Sequence, residues 1–309
     1  MKMRNKFLAL FLAVSMTFSA GACGSSDADK QSDGKSSAEN TAADKEDEKN
    51  DDVDYYAAAV EKMNEVTSMN ANMQVAMDMK IEAAGESQTM STMTSMDMSC
   101  LYDPIRLKAD AVIDAGDGNK LETSIYAEMA EDGTYTLYST NGTTWQSQTI
   151  DAADIAQYDA ASNVTGYMQE SYNFQDAGTE QIDGKDARKY TGSITGDDMR
   201  QTLMSTGALN SLSNLGVDSS QLDTLLKDLG ELPITLWIDE AEMYPVKYEM
   251  DMTSMLNSLM SGIISSMGDD ATGLTFEYTK ATMEMTCSDY NAVSEFSIPD
   301  EAKAATPAA

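Results

Sequence analysis

From Met69 to Ile81 every odd position is apolar: Met69, Ala71, Met73, Val75, Met77, Met79 and Ile81. The even positions are Asn70, Asn72, Gln74, Ala76, Asp78, Lys80 and Glu82. Successive side chains of an extended chain point to opposite faces, so this period of two makes a long strand with one face buried and one in water. A strand of that kind needs a wide sheet beside it. The same pattern recurs at Met96, Met98 and Cys100, and at Ile105, Leu107, Ala109, Ala111 and Ile113. Strands are also expected over 121–129, 134–139, around Trp145, and over 180–182, 187–194, 234–238, 246–252 and 275–287, with a short one at 296–298. Asn141-Gly142 and Asp183-Gly184 are hairpin turn pairs.

Helical spacing appears at the start of the body, where Tyr56, Ala59, Val60 and Met63 recur behind Asp52 or Asp54 as a cap. Residues 151–174 have a helical flavour, and short helices are expected near 197–206 and 219–229. A further helix is expected over 254–267. The order is helix, strands, helices, strands, with no strand–helix–strand alternation. That is an α+β chain: a large antiparallel sheet with helices against one face.

Methionine is over-represented, at 24 residues. Met-acid-Met occurs at 77–79, 96–98, 250–252 and 283–285, each time in an expected strand. Both methionines then share one face and the acid takes the other. Three readings stay open. The methionines are a core face, or they line a cavity for variable apolar ligands, or they form a copper(I) site, since thioethers are soft ligands. The cavity reading names Met73, Met77, Met79, Met96, Met98, Met250, Met252, Met283 and Met285. Two copies extend to Met-acid-Met-hydroxyl-Cys, ending at Cys100 and Cys287. These cysteines sit at matching strand positions and are read either as a disulfide or as two buried thiols. In the 254–267 helix, Met255, Leu256, Leu259, Met260, Ile263, Ile264 and Met267 fill about half the helical wheel. It is read as a core helix or as a lid on the cavity.

Composition narrows the chemistry. There is no histidine, which removes the commonest general base and metal ligand and every triad that needs one. No phosphate-cradling glycine loop or zinc pattern occurs, and the carboxylates fall mostly on outward strand positions. The reading is therefore a protein that is not an enzyme, with no cofactor. A formal charge of −32 repels nucleic acid and anionic headgroups.

The N-terminus has Lys2, Arg4 and Lys6, then an apolar run from Phe7 to Phe18, then Ser19-Ala20-Gly21-Ala22-Cys23-Gly24. A basic start, an apolar stretch and small residues at a cut make a secretory signal. The apolar run is shorter than the roughly 20 residues of a spanning helix. The cysteine at the cut resembles a bacterial lipoprotein signal, with Ala20 where such signals usually carry Leu. The resemblance implies cleavage before Cys23 and diacylglycerol on its sulfur, anchoring the protein on the extracytoplasmic face of the cell membrane. Loss of the three cations with residues 1–22 takes the charge from −32 to −35. Residues 23–52 lack apolar periodicity and read as a disordered acidic tether, reaching roughly 30 Å root-mean-square. One domain is expected over 53–300, and a disordered tail over 301–309.

The opening helix, the long hairpins, Gly184-Lys185-Asp186-Ala187-Arg188-Lys189-Tyr190, Leu236-Trp237-Ile238-Asp239 and Tyr244-Pro245-Val246-Lys247 together resemble the LolA/LolB-type fold. They are also similar to LppX-type lipoprotein carriers and to uncharacterised Gram-positive lipoproteins of that shape. The resemblance implies a curved, unclosed antiparallel half-barrel with helices packed on its concave face and an apolar cavity between. Known members carry lipids or lipidated cargo. Two functions follow as expectations: binding or carrying a lipid or other apolar molecule, or serving as a non-catalytic envelope protein for an unknown protein partner. Empty cavity volume discriminates them. The anchor has its own test. An alkyne-tagged fatty acid fed to the producing cell is expected to label the wild-type chain and not Cys23→Ala; equal labelling of both would remove the anchor.

Overall fold

The computed structural model describes residues 53–307 apart from 84, 103, 117, 141, 151–163, 165, 196–197, 199–229 and 267–272. The signal, Cys23, the tether and the helices expected near 197–206 and 219–229 lie outside the described residues. The strands are β1 (Ser68–Ala83), β2 (Glu86–Leu101), β3 (Arg106–Asp114), β4 (Lys120–Met129), β5 (Tyr135–Thr140) and β6 (Trp145–Ile150). They continue as β7 (Gln175–Ile182), β8 (Lys185–Ile194), β9 (Leu232–Asp239), β10 (Pro245–Asp251), β11 (Leu274–Ser288) and β12 (Thr306–Pro307). Helices α1 (Tyr55–Met63), α2 (Thr253–Ser266) and α3 (Asp300–Lys303) are among the described residues.

All twelve strands form one sheet in the order β12-β6-β5-β4-β3-β2-β1-β11-β10-β9-β8-β7. It does not close, because β12 and β7 remain its two edges; it is an open half-barrel. Every pairing is antiparallel except β12 on β6. Hairpins account for most neighbours. Asp183 and Gly184 have φ of 50° and 81°, the left-handed pair of a two-residue turn, and they bring Ile182 opposite Lys185. The exceptions in the order are β12 on β6 and β1, which pairs with β11 some two hundred residues later.

The alternation read from Met69 onward holds along β1. Met69, Ala71, Met73, Val75, Met77 and Met79 are all buried on one face. Because opposed residues share a face, one inner row crosses seven strands: Tyr190, Leu236, Tyr248, Met285, Met73, Met96 and Ala111. Ala59 and Met63 of α1, and Met255, Leu256, Leu259, Met260 and Ile263 of α2, belong to the same apolar core. Each large side chain so buried contributes about 1.5–3 kcal/mol.

Helix α2 takes over where a strand stops. β10 pairs with β11 only as far as Asp251 opposite Thr282. Beyond that point the edge of β11 is satisfied from the helix end. Met252 N donates to Ala281 O at 2.8 Å, and Ala281 N donates to Thr253 Oγ1 at 2.9 Å. Asn257 then clamps one residue from both sides: Tyr278 N donates to its Oδ1 at 2.7 Å and its Nδ2 donates to Tyr278 O at 2.9 Å. A strand edge that would otherwise expose unpaired backbone groups is thus closed by side chains.

Two expectations are corrected at the C-terminus. Residues 296–298 form no strand, and 301–307 are not a loose tail. Ile298 and Ala302 are buried on the outer face against Tyr126 and Tyr138, with Trp145 and Phe296 packed beside them. Arg106 fastens the approach, donating from Nη2 to Phe296 O at 2.6 Å. The segment then adds Thr306–Pro307 to β6. The outer face of β4 and β5 carries aromatic rings that need cover, and the chain end supplies it.

At the other side of the sheet Asp239 is a buried carboxylate, 2% exposed. It accepts from Ala241 N at 2.8 Å and Glu242 N at 2.9 Å, and Lys185 Nζ lies 3.3 Å away. Burial pushes its pKa up, but the two backbone donors and the Lys185 charge outweigh that and hold it below the ordinary aspartate range. The depressed value means a stabilisation present above the unfolded pKa and lost as pH falls through the folded one. Asp239→Asn is expected to cost about 1 kcal/mol at pH 7 by trading charged for neutral hydrogen bonds. Urea denaturation at pH 7 and pH 3 checks it: the gap from wild type narrows in acid, and a gap that widens would contradict the linkage.

Candidate functional site

The methionines expected to line a cavity lie on the inner side of the sheet, and most of their side chains are packed there. Met73, Met77, Met79, Met250, Met252, Met283 and Met285 are each 5% exposed or less, and Met96 and Met98 pack half-buried against them. They run across β2, β1, β11 and β10 instead of gathering at one point. Of the side chains expected in a lid, Met255, Leu256, Leu259, Met260 and Ile263 are buried in the core, while Ile264 is half-buried. The methionines and α2 together are packed core.

The disulfide is corrected. Cys100 and Cys287 are both buried thiols. Cys100 lies opposite Met69, and Cys287 opposite Ala71, on the two strands that flank β1. Two strand spacings put their Cα atoms at least about 9.5 Å apart, beyond the roughly 7 Å that a bridge spans. The matching Met-acid-Met-hydroxyl-Cys sequences are staggered by one residue pair: Met96 and Met285 flank Met73, whereas Met98 and Cys287 flank Ala71. Burial pushes the Cys287 thiol up to about 12, so it stays protonated and inert.

The open space lies at the β8 end of the inner row. A cleft of about 950 Å³ runs between α1 and the segment from Met168 to Asp176. α1 contributes two faces. Ala59 and Met63 turn to the core, while Tyr56 and Val60, one turn apart, reach the cleft with Ala57. Across from them a 3₁₀ turn, Glu170–Tyr172, leads through Asn173 at φ 52° into Phe174. This segment lies tight on β8 because position 192 is glycine. A Cβ there would stand 2.7 Å from Tyr172 O and 3.0 Å from the Phe174 ring. Glycine inside a strand marks such a close approach.

Three aromatic rings make the floor. Tyr56 lies 5.5 Å from Phe174 and 5.7 Å from Tyr190, centroid to centroid, both tilted. The rim is polar: Asp54, Glu61, Asn64, Gln169, Asn173, Gln175 and Asp176. Asp54 caps α1, accepting from Ala57 N at 3.0 Å. Asp176 accepts from Arg188 Nε and Nη2 at 2.8 and 2.6 Å, and those bonds hold its carboxyl below the ordinary range. The Tyr190 phenol is pushed up, first by burial and then by the Asp176 and Asp54 carboxylates. Such a site can hold an apolar body against rings and meet a polar group at its mouth.

A second space of about 460 Å³ lies on the outer face, lined by Gln74, Glu249, Lys280, Thr282 and Glu284 among others, and touching Met250 and Met283. Two of its carboxylates, Glu249 and Glu284, are held by Lys247 at 2.8 and 3.0 Å. It lacks an aromatic floor, and the inner cleft is the candidate site.

The sequence assigns no site role to any of the cleft residues. Tyr56 and Val60 stand there only as positions of a helical repeat, and Met168 and Phe174 lie within the 151–174 stretch of helical flavour. Gly192 was the available signal, a glycine inside an otherwise well-patterned strand.

The chain belongs to the family described as "Family of unknown function (DUF6612)", matched over residues 52–307. No curated protein sequence matches it. Among solved structures it is similar to the lipoprotein LppX from Mycobacterium tuberculosis, at 14% identity and TM-score 0.41, covering 79% of this chain and 96% of that one. It is similar to LprF from Mycobacterium bovis at 13% identity and TM-score 0.40, covering 80% and 95%. A LolA superfamily protein from Nitrosomonas europaea aligns at 11% identity and TM-score 0.17, covering 80% and 94%.

The thiols are directly testable. Unfolding the oxidised protein in urea without reductant is expected to expose both Cys100 and Cys287 to iodoacetamide, with no alkylation of Cys287 in the native state. A disulfide-linked peptide pair in the digest would refute the pairing geometry above.

Proposed function

We propose that this chain is an extracytoplasmic lipoprotein, anchored by lipid on Cys23 and held off the membrane by the 23–52 tether, that binds an apolar or amphipathic molecule without chemically altering it. The observation that carries this is the cleft between α1 and the Met168–Asp176 segment. Its volume of about 950 Å³ lies at the upper end of the range of small-molecule sites. Its floor is aromatic rings and its mouth is hydrogen-bonding groups, the arrangement that orients an amphipathic ligand.

The methionines keep a role in this reading. The inner row runs from the cleft floor at Tyr190 through Leu236 and Tyr248 into Met285, Met73 and Met96. Unbranched thioether side chains repack at low cost. The methionine layer is thus the part of the core suited to yield to a long apolar chain entering from the cleft, and a methionine-lined cavity forms only when such a chain is present.

Native mass spectrometry of the mature protein carrying Cys23→Ala, purified without detergent, tests the reading. The expected result is a one-to-one apolar adduct that disappears on denaturation and is recovered by solvent extraction. A clean mass that takes up nothing from offered lipids would move the function to a protein-binding envelope module.

A further inference from the structure

The charge around the cleft says which ligands it admits. Its described lining carries three carboxylates, Asp54, Glu61 and Asp176, and no lysine or arginine. Arg188 stands just behind Asp176 and matches that one charge. Asp54 and Glu61 leave the rim net negative, and the Asp54 carboxylate already answers the partial positive charge at the α1 N-terminus. The whole chain adds a field of the same sign, with a formal charge of −32.

Beneath that rim lie three rings that offer an apolar floor. Tyr56 sits within 6 Å of both Phe174 and Tyr190, so one apolar body can lie against more than one ring. The field is already felt inside the cleft: behind burial, the Asp176 and Asp54 carboxylates help keep the Tyr190 phenol protonated. The same field keeps an amine protonated and raises the cost of a phosphate or carboxylate.

We infer that the cleft selects a cationic amphiphile, with its apolar body on Tyr56, Phe174 and Tyr190 and an ammonium-type group at the Asp54–Glu61 rim. This rests on the binding reading above and sharpens it, because anionic phospholipids and fatty acids are then poor ligands.

Three probes share one tail and differ in head charge: decyltrimethylammonium, decyl maltoside and decyl sulfate. Each is titrated calorimetrically, below its micelle concentration and in 150 mM salt, into the full mature chain with Cys23→Ala. The expected result is one-to-one binding of the ammonium at least tenfold tighter than the sulfate, with the maltoside between. Glu61→Gln should cut the ammonium-to-sulfate affinity ratio about threefold. Phe174→Ala keeps every charge and should weaken the ammonium at least tenfold; Tyr56→Leu is the second variant if the first lowers the melting temperature. Sulfate or maltoside binding as tight as the ammonium overturns the charge selection and leaves the binding site standing. Ammonium binding that survives both ring variants places the cation on the general acidic surface and overturns the inference. One-to-one binding of none of the three overturns the site itself.

Discussion

Everything in this protein hangs on the hydrogen-bonded register between β1 and β11. These strands are about two hundred residues apart in sequence, and fourteen residue pairs join them. Their alignment puts Met285 beside Met73 and thereby extends one inner row from β8 to β3. A slip of one residue would turn every methionine of β1 to water and every aspartate and lysine to the core. Buried methionines therefore specify this pairing even though each one packs loosely.

That row also explains why α2 sits where it does. β10 leaves β11 after Asp251, at about the point where β11 bulges against Asp78 and Met79. The backbone of Tyr278 and Ala281 would be left unpaired beside an apolar face. Asn257, Thr253 and the helix end close it, and the apolar side of α2 covers the methionines below. The helix carries no charge in a strongly acidic chain, and its buried face is continuous with the core. The methionine strands and the helix are thus one packing unit.

The cleft arises from a different constraint. Gly192 lets the chain from Tyr172 to Phe174 lie directly on β8, and α1 is held against the sheet by Ala59 and Met63. Tyr56 and Phe174 then meet over Tyr190 with space left between the two segments. Acidic side chains collect at the mouth because α1 needs Asp54 as its cap and Arg188 needs Asp176 as its partner. Structural demands of the two walls thus account for two of the three carboxylates at the cleft.

Taken alone, the sequence determined what is local. Period-two alternation made the long strands and told inner from outer face, Asp183-Gly184 placed a turn, an aspartate before Tyr55 capped α1, and the apolar stripe over 254–267 made a helix. Those features follow from the geometry of neighbouring residues and need no knowledge of the rest of the chain. The strand order, the stagger that separates Cys100 from Cys287, the C-terminal cover over Tyr126 and Tyr138, and the ring cluster of Tyr56, Phe174 and Tyr190 were decided only in three dimensions. Two strands with the same pattern look equally suited to pair at several offsets. Which offset is adopted depends on which apolar faces are buried together across the whole sheet, and that is a property of the packed core and not of any one segment.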